Sequence, residues 1–433
     1  DDDLRALRGA SYADVAVRVM APFVGDGQGG STAARLGGLV ADAYAGFDHA
    51  ARAPLVQLDQ RLWLLELFHG PTIAFKDYAL QLLGRLFDDV LGQRGERVTV
   101  VGATSGDTGS AAIEACRDRD AVDIFILHPK GRVSEVQRRQ MTTVPAANVH
   151  NVAIDGAFDD CQDLVKAMFN DAPFRDALNL SAVNSINWAR IMAQIVYYVA
   201  AAVALGAPDR RVAFSVPTGN FGNVYAAYCA RAMGVPIDRL IVGCNTNDIL
   251  HRFFKSGRMR TRPVVPTISP SMDIQISSNF ERLLFDLLDR DGSALAACMQ
   301  AFRRDGDFAV TDDRLGRARA LFESHRLDDA GTRAEIAETY RATGRLVDPH
   351  TAVGLAAARA CDTDPDVAVV ALGCAHPAKF PDAVEQATGV RPGLPAHLAD
   401  LFDREERLTA LPNDLAKVQD FVRERAGAAG VAA

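Results

Sequence analysis

The sequence has no pair of cysteines at C-x-x-C spacing; its seven cysteines are odd in number, and several sit in apolar runs. That excludes a disulfide framework as the organising device and points to buried thiols in a reducing compartment. No H-E-x-x-H or comparable pattern appears among the nine histidines, so no metal site is expected. No excess of basic charge exists: 47 Lys and Arg stand against 55 Asp and Glu, a net charge of −8, which argues against nucleic acid as a partner. A small anionic substrate needs only one local pocket and stays open. The longest apolar run, Ile191 to Ala207, is slightly short of the roughly 20 residues a membrane span needs; it contains Gln194 and reads as a core helix ending near Gly206 and Pro208. The opening DDDLRALRG has neither a basic n-region nor an apolar h-region, so no secretory signal is expected and a cytoplasmic setting is. The absent initiator Met suggests a trimmed front end.

What is present is the length and patterning of an ordinary globular protein. At roughly 150 residues per domain, 433 residues suggest two or three domains. Short β-rich runs alternate with helical stretches: RVTVVGA, VDIFILHP, NVHNVAID, RVAFSVP, LIVGCN and VAVVALG. Apolar runs of this kind separated by helices predict parallel sheets covered on both faces, an α/β class. Ligands of such sheets sit beyond the carboxyl ends of the strands. The loops GATSGDTG, PTGNFGN and GCAHPAKF have that address, and HGPTIAFKD opens a helix.

In HGPTIAFKD, Lys76 falls where a helical apolar period begins. A helix N-terminus disfavours a cation, and Ile73 and Phe75 add apolar surroundings. Both effects favour the uncharged amine that Schiff-base chemistry needs. A solvated lysine turned away from the helix fits the segment equally well. PTGNFGN, from Pro217 to Asn223, places two glycines and two short amides between a strand and a helix, a phosphate nest or an ordinary Gly/Asn-rich turn. GATSGDTGS offers hydroxyls and amides at a helix start, suited to a carboxylate or phosphate or simply to capping. Neither loop has the P-loop lysine. In NSINWARIMAQ, Arg190 could pair with an oxyanion or could be a surface residue behind an Asn/Ser cap.

Taken together these segments resemble threonine synthase in its long form. The resemblance is carried, in order, by ELFHGPTIAFKD (66–77), VGATSGDTGSAA (101–112), NSINWAR (184–190), PTGNFGNVYA (217–226), NTNDIL (245–250), SPSMDIQISSNFERLL (269–284), DPHTAVG (348–354) and AHPAKF (375–380). It implies the tryptophan synthase β-like fold, two open α/β domains with pyridoxal 5'-phosphate in the cleft between them. The implied division is an N-terminal helical segment over 1–50, a large cofactor-binding domain over 51–95 and 211–390, a small α/β domain over 96–210, and a C-terminal helical segment and tail over 391–433. By resemblance Lys76 carries the cofactor as a Schiff base, Gly219, Asn220, Phe221, Gly222 and Asn223 cradle its phosphate, and Cys374 lines its ring. Thr104, Ser105, Gly106, Asp107 and Thr108 would hold the substrate carboxylate, and Ser185, Asn187 and Arg190 the substrate phosphate. The implied reaction turns O-phospho-L-homoserine and water into L-threonine and phosphate, the last step of threonine biosynthesis, in a monomer or homodimer. Two departures stand out. The family usually has Ser or Thr where this chain has Cys374, a weaker hydrogen-bonding group. A DGGL-type element that usually precedes the first helix is missing. A related lyase that releases a 2-oxo acid, or a non-catalytic protein of the same fold, remains as an alternative.

Overall fold

The computed structural model describes residues 1–24 and 32–427. The end of the Ala/Gly tail and residues 25–31 of the expected N-terminal segment lie outside the described residues. The chain divides into two compact units, one of residues 1–37, 49–69 and 188–392, the other of 38–48, 70–187 and 393–433.

The first unit is built on a six-stranded sheet in the spatial order Leu55–Gln57, Leu62–Glu66, Ala368–Gly373, Val212–Pro217, Ile237–Cys244, Phe322–Arg326. All neighbours run parallel except the first pair, an antiparallel edge. Every residue of Val212–Pro217 is buried, as expected of a strand covered on both faces. Leu62, Leu64, Ala213, Ile241, Val369 and Ala371 form one core with Ala352, Leu355 and Ala357 of the helix Pro349–Ala360. The long apolar run folds as the helix Trp188–Ala204, with thirteen of its residues buried. No helix among the described residues is long and apolar enough to cross a membrane. All seven cysteines carry free thiols.

The second unit holds a five-stranded, wholly parallel sheet in the order Thr409–Pro412, Val149–Asp155, Val122–Pro129, Val98–Ala103, Leu180–Ser181. One face packs Val101, Phe125, Leu127, Val152 and Ile154 against Leu164 and Met168 of the helix Phe158–Asn170 and Val418 and Val422 of the C-terminal helix Leu415–Arg425. Elsewhere in this unit the helix Lys76–Arg94 lies against the helix Asp107–Cys116. They come close together at Gly84, where a Cβ would stand 2.2 Å from the Ala115 carbonyl oxygen. That approach matters because each of the two helices begins at a residue of the chemistry described below.

Gly84→Ala therefore forces the two helices apart. We expect a loss of about 1–3 kcal/mol in urea unfolding, the usual range for overpacking against backbone. Gly92→Ala, in the same helix but with open space around it, is the control. It should be neutral or stabilising by up to about 1 kcal/mol, because only the helical propensity changes.

Candidate active site

Lys76 is the first residue of its helix, and the turn before it is held by Asp77. The Asp77 carboxylate accepts from the Thr72 backbone N–H at 2.9 Å and from the Thr72 hydroxyl at 2.6 Å, both buried. A carboxylate in a first helical turn is well placed against the helix dipole. Ile73 adopts φ +55°, a left-handed conformation that a β-branched residue rarely takes. It is held there by burial among Val136, Leu398 and Leu401. This strained turn presents Lys76 with only 8% of its surface exposed. The amine lies 4.9 Å from the Phe75 ring centroid, the apolar neighbour the sequence suggests. It is also 3.1 Å from the Asp107 Oδ2, an acidic partner that the sequence reading gave a different task.

Asp107 belongs to the loop after the strand Val98–Ala103. Thr104 is buried, and its Oγ1 accepts from the amides of Gly106 (3.0 Å) and Gly109 (2.8 Å). The Ser110 hydroxyl donates back to the carbonyls of Gly106 and Asp107. Those two hydroxyls hold the loop's own shape. Ser105 and Thr108 are half-buried, and the amides of Asp107 and Thr108 lie in the first helical turn, where no intrahelical acceptor exists. The loop can therefore offer backbone donors to an anion while its one carboxylate is engaged elsewhere. Gln137 Nε2 donates to Asp107 Oδ1 at 2.8 Å. Ser185 and Asn187, both half-buried, lie in the same unit in the irregular segment that ends at residue 187.

In the other unit, the turn Thr218–Phe221 follows the carboxyl end of Val212–Pro217, and the helix Gly222–Ala232 follows the turn. Cys374 follows the carboxyl end of the adjacent parallel strand Ala368–Gly373. It is buried, and its backbone N–H donates to Thr351 Oγ1 at 3.0 Å. Phe221 adopts φ +62° and is fully buried. Its N–H donates to Thr218 Oγ1 at 3.0 Å, and its ring packs on Phe254, Phe280 and Phe322. Ring packing thus offsets a backbone strain of about 1–2 kcal/mol. The strain leaves the amides of Gly222 and Asn223 open at the helix start, which is the geometry of an anion nest.

The segment SPSMDIQISSNF closes over the outside of this turn. Ser277 donates to the Gly219 carbonyl at 2.7 Å, Ser278 to Asn220 Oδ1 at 3.1 Å, and the Asn279 backbone N–H and Nδ2 to the Asn220 carbonyl at 3.1 and 3.2 Å. A Cβ on Gly219 would come within 2.9 Å of Ile274 and 3.2 Å of the Met272 backbone, so glycine is required by the clasp itself.

Two buried polar groups in this unit have donors to spare. Asn223 Oδ1 accepts from the Tyr197 hydroxyl (2.5 Å) and the Tyr198 hydroxyl (2.7 Å), which fixes the amide's orientation. Its Nδ2 is buried with no partner among the described residues. Arg190, on the first turn of the helix Trp188–Ala204, is 4% exposed, and its Nε and Nη1 also lack partners. Burial pushes its guanidinium down to about 10, with the nearby Tyr197 hydroxyl opposing the shift. Native proteins rarely leave buried donors unsatisfied, so both groups are suited to an anion. That is the fit expected for a phosphate-bearing cofactor and a phosphorylated substrate. Sequence reasoning missed Gln137, Tyr197, Tyr198, Ser277, Ser278 and Asn279. The last three lie in a quoted motif, where a run of small polar residues between apolar ones was the available signal.

Comparison with known proteins agrees with this chemistry. Residues 47–374 match the family model described as pyridoxal-phosphate dependent enzyme, and residues 351–422 match that of the threonine synthase C-terminal region. The chain is 58% identical to a threonine synthase of Pseudomonas aeruginosa over 98% of this chain and 90% of that protein. It is 43% identical to a threonine synthase of Saccharomyces cerevisiae over 87% of this chain and 79% of that protein. The crystal structure of pyridoxal-phosphate-bound threonine synthase from Brucella melitensis superposes with a TM-score of 0.95 at 54% identity, covering 98% of this chain and 91% of that one. The chain belongs to the threonine synthase family of pyridoxal-phosphate-dependent enzymes, with the tryptophan synthase β-like fold.

Proposed function

We propose that Lys76 is the residue on which this threonine synthase carries pyridoxal phosphate while converting O-phospho-L-homoserine and water to L-threonine and phosphate. The observation that carries this is the amine itself, buried at a helix start behind a strained turn and held by a carboxylate at 3.1 Å. Gly219, Asn220, Phe221, Gly222 and Asn223 are assigned to the cofactor phosphate. The first-turn amides and the Asn223 Nδ2 supply the donors, and Cys374 is assigned to the ring. When bound, pyridoxal phosphate supplies an electron sink for negative charge beside the substrate's amine-bearing carbon.

The chain's own residues then bind and move protons. The amides of Asp107 and Thr108, with the hydroxyls of Ser105 and Thr108, receive the substrate carboxylate, in the loop shaped by Thr104 and Gly106. Arg190 receives the substrate phosphate, with Ser185 and Asn187 as further donors. Lys76 Nζ takes the proton from Cα and is the base for the transfers at Cβ and Cγ, and it returns the Cα proton after water has added at Cβ. Free thiols support the reading of a cytoplasmic protein, and the net charge of −8 supports a small-molecule partner over nucleic acid. A monomer or homodimer belongs to the same proposal.

Incubation with phosphohomoserine should give threonine and phosphate in equal amounts; 2-oxobutyrate would make the chain a degradative lyase, and no turnover a carrier. Borohydride reduction of the loaded enzyme should place the pyridoxyl group on the Lys76 peptide, and a label on the fully buried Lys379 would overturn the assignment. Lys76→Ala should lower kcat at least about 10³-fold, the scale of a lost acid–base group.

Arg190→Met separates substrate binding from fold. Removing a buried charge whose Nε and Nη1 have no hydrogen-bond partner among the described residues should leave the cofactor-free protein as stable as the parent, or up to about 2 kcal/mol more stable in urea unfolding. The KM for phosphohomoserine should rise by roughly 30-fold or more, since a buried charge pair with the ligand is lost. Lower stability with an unchanged KM would show a structural arginine instead.

A further inference from the structure

We propose that Asp107 is the positioning residue of Lys76: it receives the lysine amine whenever that amine is not bonded to the cofactor, and aims it back at the reacting atoms. The inference rests on the reading of Lys76 as the cofactor lysine. The Lys76 Nζ to Asp107 Oδ2 distance is 3.1 Å, and the two side chains are 10% and 4% exposed. A buried ion pair of this kind contributes little net stability, because desolvation offsets most of the Coulomb attraction. Its value lies in direction, since a buried amine with one charged partner has one preferred orientation.

The carboxylate is itself held. Gln137 Nε2 donates to its other oxygen at 2.8 Å, from the helix Glu135–Thr142. This contact explains a glycine. Gly106 has φ +139°, and a Cβ there would lie 2.4 Å from the Gln137 carboxamide carbon. Any side chain at 106 would displace the glutamine from Asp107. The helix start favours a carboxylate at this position as well. The arrangement also divides the labour of the loop. A carboxylate cannot face the substrate's own carboxylate without repulsion, so the side chain of Asp107 serves the lysine and its backbone N–H serves the substrate.

The test uses Asp107→Asn, Asp107→Glu and Gln137→Leu with two readouts. The first is the kcat and KM for phosphohomoserine. The second needs no turnover: cofactor-free protein is mixed with pyridoxal phosphate, quenched with borohydride at short times, and the pyridoxyl label on the Lys76 peptide is followed. Asp107→Asn should slow both the labelling and kcat by about tenfold or more, the scale of a misplaced reacting group, with KM within about threefold of the parent. Asp107→Glu should recover part of both rates, and Gln137→Leu should slow both by about threefold. Parental labelling in Asp107→Asn would overturn the proposal, as would a raised KM with kcat unchanged, which would place the carboxylate on the substrate. If Asp107→Asn fails to fold, Gln137→Leu decides alone, and parental labelling in it overturns the proposal. A label on another lysine in the parent protein would instead refute the reading of Lys76.

Discussion

A lysine can be kept out of water only where its amine has a partner, and the contact between Lys76 and Asp107 supplies one. Much of the second unit's architecture serves that contact. The helix Lys76–Arg94 and the helix Asp107–Cys116 begin at the two partners and meet at Gly84, where only a hydrogen fits against the Ala115 carbonyl. Thr104 and Ser110 shape the loop that delivers Asp107, Asp77 and Thr72 shape the turn that delivers Lys76, and Gln137 holds the carboxylate from a third helix. The strain at Ile73 belongs to the same construction. A strained turn held by burial is where a fold spends energy on placement rather than on stability.

The first unit follows the opposite rule. Its decisive groups, Arg190 and the Asn223 amide, are buried with donors that the described residues do not satisfy. Such groups cost free energy in the protein alone and recover it on binding an anion. The surrounding protein spends its own hydrogen bonds on orientation. Two tyrosines fix the Asn223 amide, and Ser277 and Asn279 hold the Gly219 and Asn220 carbonyls, while Ser278 holds the Asn220 side chain. With the carbonyls tied back, the backbone N–H groups are left for a ligand. One unit thus pre-aligns a cation with its counter-ion, and the other keeps donors unpaired.

The sequence made the class of fold legible because strands buried on both faces, such as Val212–Pro217 and Val122–Pro129, are predominantly apolar, with only Ser215, Asp123 and His128 as polar members. It also made the loops legible, since glycines, hydroxyls and short amides between strand and helix have few other uses. What it could not show is which donors are already spent. Thr104 and Ser105 look alike in GATSGDTG, yet one is buried capping its own loop and the other is half-exposed. Asp107 reads as part of a carboxylate-binding loop, and its engagement with Lys76 depends on two segments 31 residues apart coming together. Gln137 and Tyr197 carry no local pattern at all, because their roles come from tertiary packing and not from periodicity.

The same distinction bears on Cys374, where the family usually has a hydroxyl. The position is set by main-chain bonds: Leu67 N–H to the Gly373 carbonyl at 2.9 Å and Cys374 N–H to Thr351 Oγ1 at 3.0 Å. Thr351 in turn donates to Asp348, the cap of its helix. None of these bonds uses the side chain at 374, so they do not depend on whether it carries oxygen or sulfur. The chemical difference is a weak donor and weak acceptor in place of a strong one. A scaffold that places a residue by its backbone allows the side chain at 374 to vary without moving the turn at Gly219. That separation makes the exchange compatible with a fold otherwise shared along the chain.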